Sequence, residues 1–447
     1  MKINVPPYVS AVISRLERSG FQAYMVGGCV RDSLMGKEPH DYDICTDALP
    51  EEMLNVFGDF HTIATGLKHG TLTVMSDHFP VEVTTFRSDG DYTDHRRPDF
   101  VRFERELSED LKRRDLTVNA MCYNEKQGLV DLFGGADDLN SGIIRCVGRP
   151  EERFSEDALR IMRAMRFASV LDFRIEEGTA AAMRTKADLL RFVSAERIFT
   201  ELKKMLCGPA VERVLLGYKD LMALIIPELG PCIGCGQNCV HHCFDVYGHI
   251  CRSVAEIEPD EELRLTMLFH DIGKPLKKTT DAAGADHFKL HPLAGADIAE
   301  RVLSRMKSSR KTVRRVVPLV LEHDNRIPAR KKSVKRLISK YDYDFMTDWL
   351  KVRRADTLAQ SEHMRAEKLA ELDRIEELVE EIKAENSCLK LSDLAVNGTD
   401  LMAMGIQGRA IKERLNAALE AVIDERVPNE REALLGYIGG LEDGEEQ

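Results

Sequence analysis

Residues 26–43 read VGGCVRDSLMGKEPHDYD. An apolar run meets a Gly-Gly turn, Arg31 and Asp32 follow, and Asp41 and Asp43 stand at alternating positions. Side chains at i and i+2 of a strand project from one face, so this spacing predicts that Asp41 and Asp43 offer oxygens to one divalent cation. Magnesium suits such a pair, with its remaining positions left to water and substrate phosphate. Gly27 and Gly28 lack the Cβ atoms that would hold a triphosphate away from backbone N–H groups. Arg31 adds a guanidinium fork for phosphate oxygens. The stretch therefore predicts phosphate-and-metal chemistry carried on a strand–turn–helix scaffold.

On either side of it, residues 1 to about 150 alternate β-rich runs, among them FQAYMVGG, GTLTVMS, FPVEVTTF and GLVDLFGG, with short helical stretches. After Pro150 the apolar period is 3.6 residues and strand signals vanish. Thr279 to Asp286 reads as a polar loop, and Met364 to Glu385 as a charged connecting helix. The expected class is α+β, with an α/β head followed by helical parts.

A chain of 447 residues, 43% of them hydrophobic, exceeds what one core serves, and three or more compact units are expected. The net charge of −12 counts against nucleic-acid binding only as an average, because binding depends on local patches. Two basic runs exist, Arg310, Lys311, Arg314 and Arg315, then Arg330, Lys331, Lys332, Lys335 and Arg336. Each reads equally well as a solvated helix face. No apolar stretch approaches membrane-spanning length, so a cytoplasmic protein with no membrane partner is expected. Eleven dispersed cysteines do not describe a disulfide framework. Cys232, Cys235, Cys239 and Cys243, with His241 and His242, have irregular spacing that fits a reduced linker better than a zinc site.

Phosphoryl transfer with two metals calls for a third carboxylate, and Glu82 is the candidate. In PVEVTTFR the strand alternation sets it opposite Val81 and Val83. In DLKRRDLTVNAM, Arg113 and Arg114 suit a triphosphate and its leaving pyrophosphate, and Asn119 lies on a short helix beyond. In SEDALRIMRAMRF, Asp157, Arg160 and Arg163 are three apart and are expected along one side of a helix, with Arg166 a turn further on. Cytosine and adenine share an amino donor beside a ring-nitrogen acceptor, where guanine and uracil place a carbonyl. One carboxylate beside one guanidinium, Asp157 and Arg160, would accept C and A and reject G and U.

VGGCVRD, DYD, VEVTTFR, RRDLTVNA and EDALRIMR, in this order and spacing, resemble class II tRNA nucleotidyltransferases, the CCA-adding enzymes and their poly(A) polymerase relatives. The resemblance covers about the first 210 residues. It implies addition of C, C and A to tRNA 3′ ends from CTP and ATP without a template. It also implies a polymerase beta-like nucleotidyltransferase head followed by a helical neck, body and tail. By similarity Gly28 and Arg31 contact nucleotide, Asp41 and Asp43 bind magnesium, and Glu82 is the third carboxylate. Arg114, Asp157, Arg160, Arg163 and Arg166 complete the nucleotide pocket. Arg87, Asp89, Tyr92, Asp94, Arg96 and Arg97 occupy the family's flexible loop, whose full length favours complete CCA addition. LSDLAVNGTDLMAMGIQGRA resembles the tRNA-contacting end of relatives.

His249, the adjacent His270 and Asp271 of HDIGKP, and Asp356 resemble the H…HD…D pattern of HD-superfamily phosphohydrolases. That pattern implies a transition-metal site in a helical body, with phosphatase or 2′,3′-cyclic phosphodiesterase activity. His291 and His323 are further ligands that would extend it to a second ion. The expected domains are a nucleotidyltransferase head over 1–150, a neck over 151–230, an HD domain over 240–360 and a tRNA-binding tail over 361–447. Two alternatives stay open: a poly(A) polymerase or A-adding enzyme, and an HD phosphohydrolase whose N-terminal part only binds RNA.

Overall fold

The computed structural model describes residues 3–90, 100–238 and 243–441. Tyr92, Asp94, Arg96, Arg97, Cys239, His241 and His242 therefore lie outside the described residues. The chain divides into two compact units, Met1–Gly230 with Arg305–Ser308, and Pro231–Ser304 with Ser309–Gln447.

The first unit opens with a mixed seven-stranded sheet. Its members are β1 (Ala23–Val26), β2 (Asp43–Thr46), β3 (His61–Ile63), β4 (Thr71–Ser76) and β5 (Phe79–Thr85). A separate pair, β6 (Arg87–Asp89) and β7 (Val101–Phe103), intervenes before β8 (Met121–Asn124) and β9 (Gly128–Asp131) complete it. The order is β3-β4-β5-β2-β1-β8-β9, and β2 with β5 is the parallel pair. Strand alternation sends Met25, Ile44, Val81 and Val83 into a core with Val9, Val12, Leu16 and Met53 from the helices Pro7–Arg18 and Pro50–Val56. The opposite face carries a smaller apolar cluster of Tyr24, Val26, Cys45, Phe86, Leu111 and Cys122. Asp43 and Glu82 are directly paired in the β2–β5 register, so both carboxylates project from this second face.

Two expectations need correction. Strands do not vanish after Pro150: Ile143–Ile144 pairs in parallel with Arg174–Ile175, and Thr279–Thr280 pairs with Asp286–His287. The supposed loop from Thr279 is thus a hairpin, closed by Asp281, whose carboxylate accepts from the backbone N–H groups of Ala283 and Ala285. Nor do Asp157 and Arg160 share a helix. One helix, Pro150–Glu156, ends before Asp157, which is extended at φ −133° and ψ 104°, and the next spans Leu159–Val170. The Asp157 carboxylate accepts from the Leu159 N–H at 3.1 Å, a local bond that competes with helix continuation.

The second unit is helical. Its helices include Val246–Glu256, Glu261–Phe269, His291–Arg305, Arg310–Glu322, Lys331–Lys340, Tyr343–Ala359 and Arg365–Ala384. Asn397 caps the Gly398–Ala403 helix, accepting from the Thr399 N–H. The second basic run is largely neutralised: Lys331 pairs with Glu381 and Glu385, Lys335 with Glu425, and Lys332 and Arg336 with Asp424. In the first run, Arg315 is held by Asp260, Glu262 and Asp348. Among the described residues no helix is long and apolar enough to cross a membrane.

Candidate active site

Asp41 lies in the bend before β2, and Asp43 is the first residue of that strand. The strand thus begins two residues later than the DYD alternation predicts, yet Asp41, Asp43 and Glu82 remain close enough to interact. Burial, then the charges of Asp41 and Glu82, push the Asp43 carboxyl up from 3.8 to about 6, with Arg114 opposing them. A cation beside these carboxylates would offset their mutual repulsion.

Arg114 is fixed from below. Asp110, fully buried, accepts from Arg114 Nη2 at 3.2 Å and from Arg113 Nη2 at 2.7 Å. The Arg114 Nε is buried and has no acceptor. Gly27 makes room for this side chain: its φ is +80°, and a Cβ there would sit 3.0 Å from Arg114 Nη1. Arg31 is oriented by Asn119, whose Oδ1 accepts from Nη1 at 2.6 Å. Asp115 accepts from Arg163 Nε at 2.6 Å. Burial works against its ionisation, but Arg163, Arg160 and Asn119 together outweigh burial and hold the Asp115 carboxyl down at about 2. The donor set of three carboxylates on one side and guanidiniums on the other fits a magnesium-bound triphosphate.

The pair expected to read the base is arranged differently. Arg160 binds Glu156 and the Arg153 and Arg113 carbonyls, while Asp157 pairs with Arg197 at 2.8 Å. Arg166 pairs with Glu201 at 3.0 Å. Glu156, Arg197 and Glu201 were not among the expected site residues, and neither was Phe167. Its ring is flanked by the guanidiniums of Arg166, Arg31 and Arg163 at 4.0, 5.0 and 5.6 Å from the centroid. An aromatic residue set in an arginine-rich helix was the available signal for it.

With this geometry in place, similarity to known proteins decides the family. The chain is 34% identical over 429 residues to a CCA-adding enzyme of Streptococcus gordonii, covering 96% of this chain and 95% of that one. It belongs to the CCA-adding enzyme family.

Stronger but shorter likenesses fall within the family. A Lactococcus lactis member is 52% identical over 202 residues and a Limosilactobacillus reuteri member 42% over 267. The matches span 44% and 60% of this chain, and 49% and 65% of those relatives' lengths. Family models match residues 23–145 (Poly A polymerase head domain), 172–232 ("Probable RNA and SrmB- binding site of polymerase A") and 290–438 (tRNA nucleotidyltransferase domain 2). The solved Bacillus stearothermophilus CCA-adding enzyme in complex with CTP is 29% identical, with a TM-score of 0.72 over 97% of this chain and 98% of that one. The Thermotoga maritima enzyme, 21% identical with a TM-score of 0.61 over 99% and 100% of the two chains, shares the fold.

The second unit brings its four expected ligands together. His249 Nε2 is 3.0 Å from Asp356 Oδ1, 3.2 Å from His270 Nε2 and 3.3 Å from Asp271 Oδ2. All four side chains are buried. Burial opposes ionisation of both aspartates, but Lys274 and His270 for Asp271, and His249 for Asp356, hold them well below the usual carboxylate range. Gly273 of HDIGKP is obligatory for this arrangement, because a Cβ there would lie 2.4 Å from the His291 carbonyl oxygen. Imidazole nitrogens and carboxylates converging in a buried place fit a transition metal.

Proposed function

We propose that this protein adds C, C and A to tRNA 3′ ends from CTP and ATP without a template. The observation that supports this reading best is the β2–β5 register, which aligns Asp43 with Glu82 beside Asp41 and faces them toward Arg114. Divalent cations held by Asp41, Asp43 and Glu82 supply Lewis acidity to the attacking 3′-hydroxyl and to the triphosphate. Arg31, Arg114, Arg163 and Arg166 bind phosphate oxygens and offset the charge that gathers on the departing pyrophosphate. Gly27 and Gly28 let the chain approach those phosphates. Asp157 and Arg160 read the pairing edge of the base, Asp157 presented by the helix break and Arg160 braced by Glu156. No covalent intermediate is needed. Residues 1–150 act as head, 151–230 as neck and 361–447 as the tail that grips tRNA, and such a substrate goes with a cytoplasmic location.

The test offers the full chain tRNA lacking its terminal CCA, alongside an unstructured RNA, with each labelled nucleotide in turn. Incorporation of C and then A into tRNA alone is expected. ATP use on either RNA without CTP use would instead identify a poly(A) or A-adding enzyme.

A second reading concerns residues 240–360, and the convergence of His249, His270, Asp271 and Asp356 favours it. These residues would hold a transition metal, which would supply an activated water for hydrolysis of phosphoesters, including 2′,3′-cyclic phosphates of RNA ends or nucleotides. Metal-dependent hydrolysis by the wild type, lost in His270→Ala, is the expected result. No hydrolysis in the wild type would leave the cluster a structural one.

A further inference from the structure

Trp349, Arg353 and Asp356 follow one another at spacings of four and three along the Tyr343–Ala359 helix, and Gln360, which ends it, stands four further on. All four therefore lie on one side. Lys368, Leu372 and Ile375 repeat the same spacings on the Arg365–Ala384 helix. Between these two stripes and residues 324–327 lies a cavity of about 230 Å³. Its floor is apolar, because Trp349, Leu372 and Ile375 are buried residues that line it. The Trp349 ring is fixed there by its Nε1, which donates to the Glu322 carbonyl oxygen at 2.8 Å. Arg353 and Lys368 stand in the wall, with the carboxylates of Asp324 and Glu371.

This inner cavity adjoins an outer one of about 420 Å³, lined by Asp271, His323 and Asp356 of the histidine–aspartate cluster and by Lys274. Asp324, Arg326 and Gln360 line both. Gln360 is the partition. Its Nε2 donates to Asp356 Oδ1 at 3.1 Å, and its Oε1 accepts from Lys368 Nζ at 2.7 Å. A lysine ammonium only donates, which sets the amide this way round. Arg353 makes a second link: its Nη1 donates to the His323 carbonyl oxygen at 2.6 Å, and its guanidinium lies 6.0 Å from the Trp349 ring centroid. Met364 also lines the inner cavity, half exposed and held at φ +54° and ψ 20°, a left-handed conformation that a residue with a Cβ adopts at a cost. Its flexible thioether adapts to a flat ligand.

Alone, the inner cavity is smaller than the ~300–1,000 Å³ usual for a ligand site, but joined to its neighbour it falls within that range. A ligand that fills both has two unlike ends. In the outer cavity Lys274 and Arg326 call for an anionic oxygen group. In the inner one the floor calls for a largely apolar body, and the mixed wall of cations and carboxylates for an edge carrying both acceptors and amino donors. A small alcohol or sugar ester would leave that floor uncovered, whereas a nucleotide meets both demands. We propose that the inner cavity is a nucleoside subsite, which seats the base of a terminal nucleotide while its phosphoester lies in the outer cavity against the histidine–aspartate cluster. What becomes of the ester rests on the hydrolysis proposed for that cluster; the seating of the base does not.

Trp349 is the single tryptophan of the chain, so tryptophan fluorescence reports on this cavity. The full chain is titrated with inorganic phosphate, with adenosine 2′,3′-cyclic phosphate, and with an oligoribonucleotide ending in the same cyclic phosphate. A saturable change of emission with the nucleotide ligands and none with phosphate is expected. Lys368→Met is expected to weaken that binding about tenfold. A response to the oligoribonucleotide assigns the subsite to RNA ends, and a response to the mononucleotide alone assigns it to free nucleotides. No change with either, or an equal change with phosphate, overturns the subsite whether or not Lys368→Met folds; a change that a folded Lys368→Met leaves untouched overturns it too. Hydrolysis is scored separately on the wild type. Emission change without hydrolysis keeps the subsite and removes the hydrolase reading, and nucleotide hydrolysis without emission change does the reverse.

Discussion

At Asp43 a carboxylate is held where it prefers a proton. Its folded-state value near 6, against an ordinary 3.8, means that the folded protein binds that proton more tightly than the unfolded chain does. The stability this contributes is fully present below about pH 4 and is lost as pH rises through 6, a cost on the order of 2–3 kcal/mol at neutral pH. Magnesium stabilises the opposite form. Adding it is therefore expected to raise the thermal midpoint clearly at pH 8 and little at pH 5, as differential scanning fluorimetry would read. Asp43→Asn should raise the metal-free midpoint at pH 8 while abolishing nucleotide addition; an unchanged midpoint would mean the repulsion is already relieved. Arg197 gives a second prediction. It anchors the Asp157 carboxylate at 2.8 Å, and a hydrogen bond between charged groups is worth about 1.5–3 kcal/mol. Arg197→Met should lower kcat/KM for CTP and ATP on the order of tenfold to a hundredfold and relax rejection of GTP and UTP, with Asp157→Ala doing the same more severely. Full rejection in both variants would move base reading elsewhere.

Among the elements, strands were legible where both faces had a clear fate. Val81 and Val83 alternate with Glu82, and the structure buries the first two and exposes the third. The helix break at Asp157 was not legible, because the apolar period of RFSEDALRIMRAMRF runs on through a residue whose side chain leaves the helical pattern to cap the next turn. Ion pairing was hidden for a related reason: partners such as Glu156 with Arg160 are local, but Arg163 with Asp115 and Arg197 with Asp157 join residues 48 and 40 apart. The Gly-Gly turn was legible as a glycine requirement, though its structural cause is the Arg114 guanidinium rather than only a phosphate. Gly27 opens the Gly28–Leu34 helix with φ +80° and ψ −129°, a conformation closed to residues with a Cβ. Gly27→Ala is thus expected to cost about 1–3 kcal/mol in denaturant unfolding. Because the new methyl group also meets Arg114, KM for nucleotides should rise with it; a stable variant with wild-type KM would count against the packing described.

For the molecule as a whole, two chemistries of different metal preference are assigned to two compact units. The carboxylates of the head are hard ligands suited to magnesium, and the imidazole-rich cluster of the second unit suits a transition metal. The two activities are therefore expected to separate in both directions. Asp41→Ala is expected to abolish CCA addition, while tRNA binding and metal-dependent phosphoester hydrolysis survive. His270→Ala or Asp271→Ala is expected to abolish hydrolysis while CCA addition survives. Chelation gives the same division without mutation: a chelator selective for transition metals, used with magnesium in excess, should silence hydrolysis alone. Each arm must be read on the full chain, because the tail proposed to grip tRNA belongs to the unit that also holds the histidines. Loss of CCA addition in His270→Ala with its thermal midpoint preserved would contradict the separation and show that the histidine cluster serves nucleotide transfer directly. Loss together with a lowered midpoint would trace instead to the collapse of the Val246–Glu256, Glu261–Phe269 and Tyr343–Ala359 helices, which His249, His270 and Asp356 join at the centre of that unit.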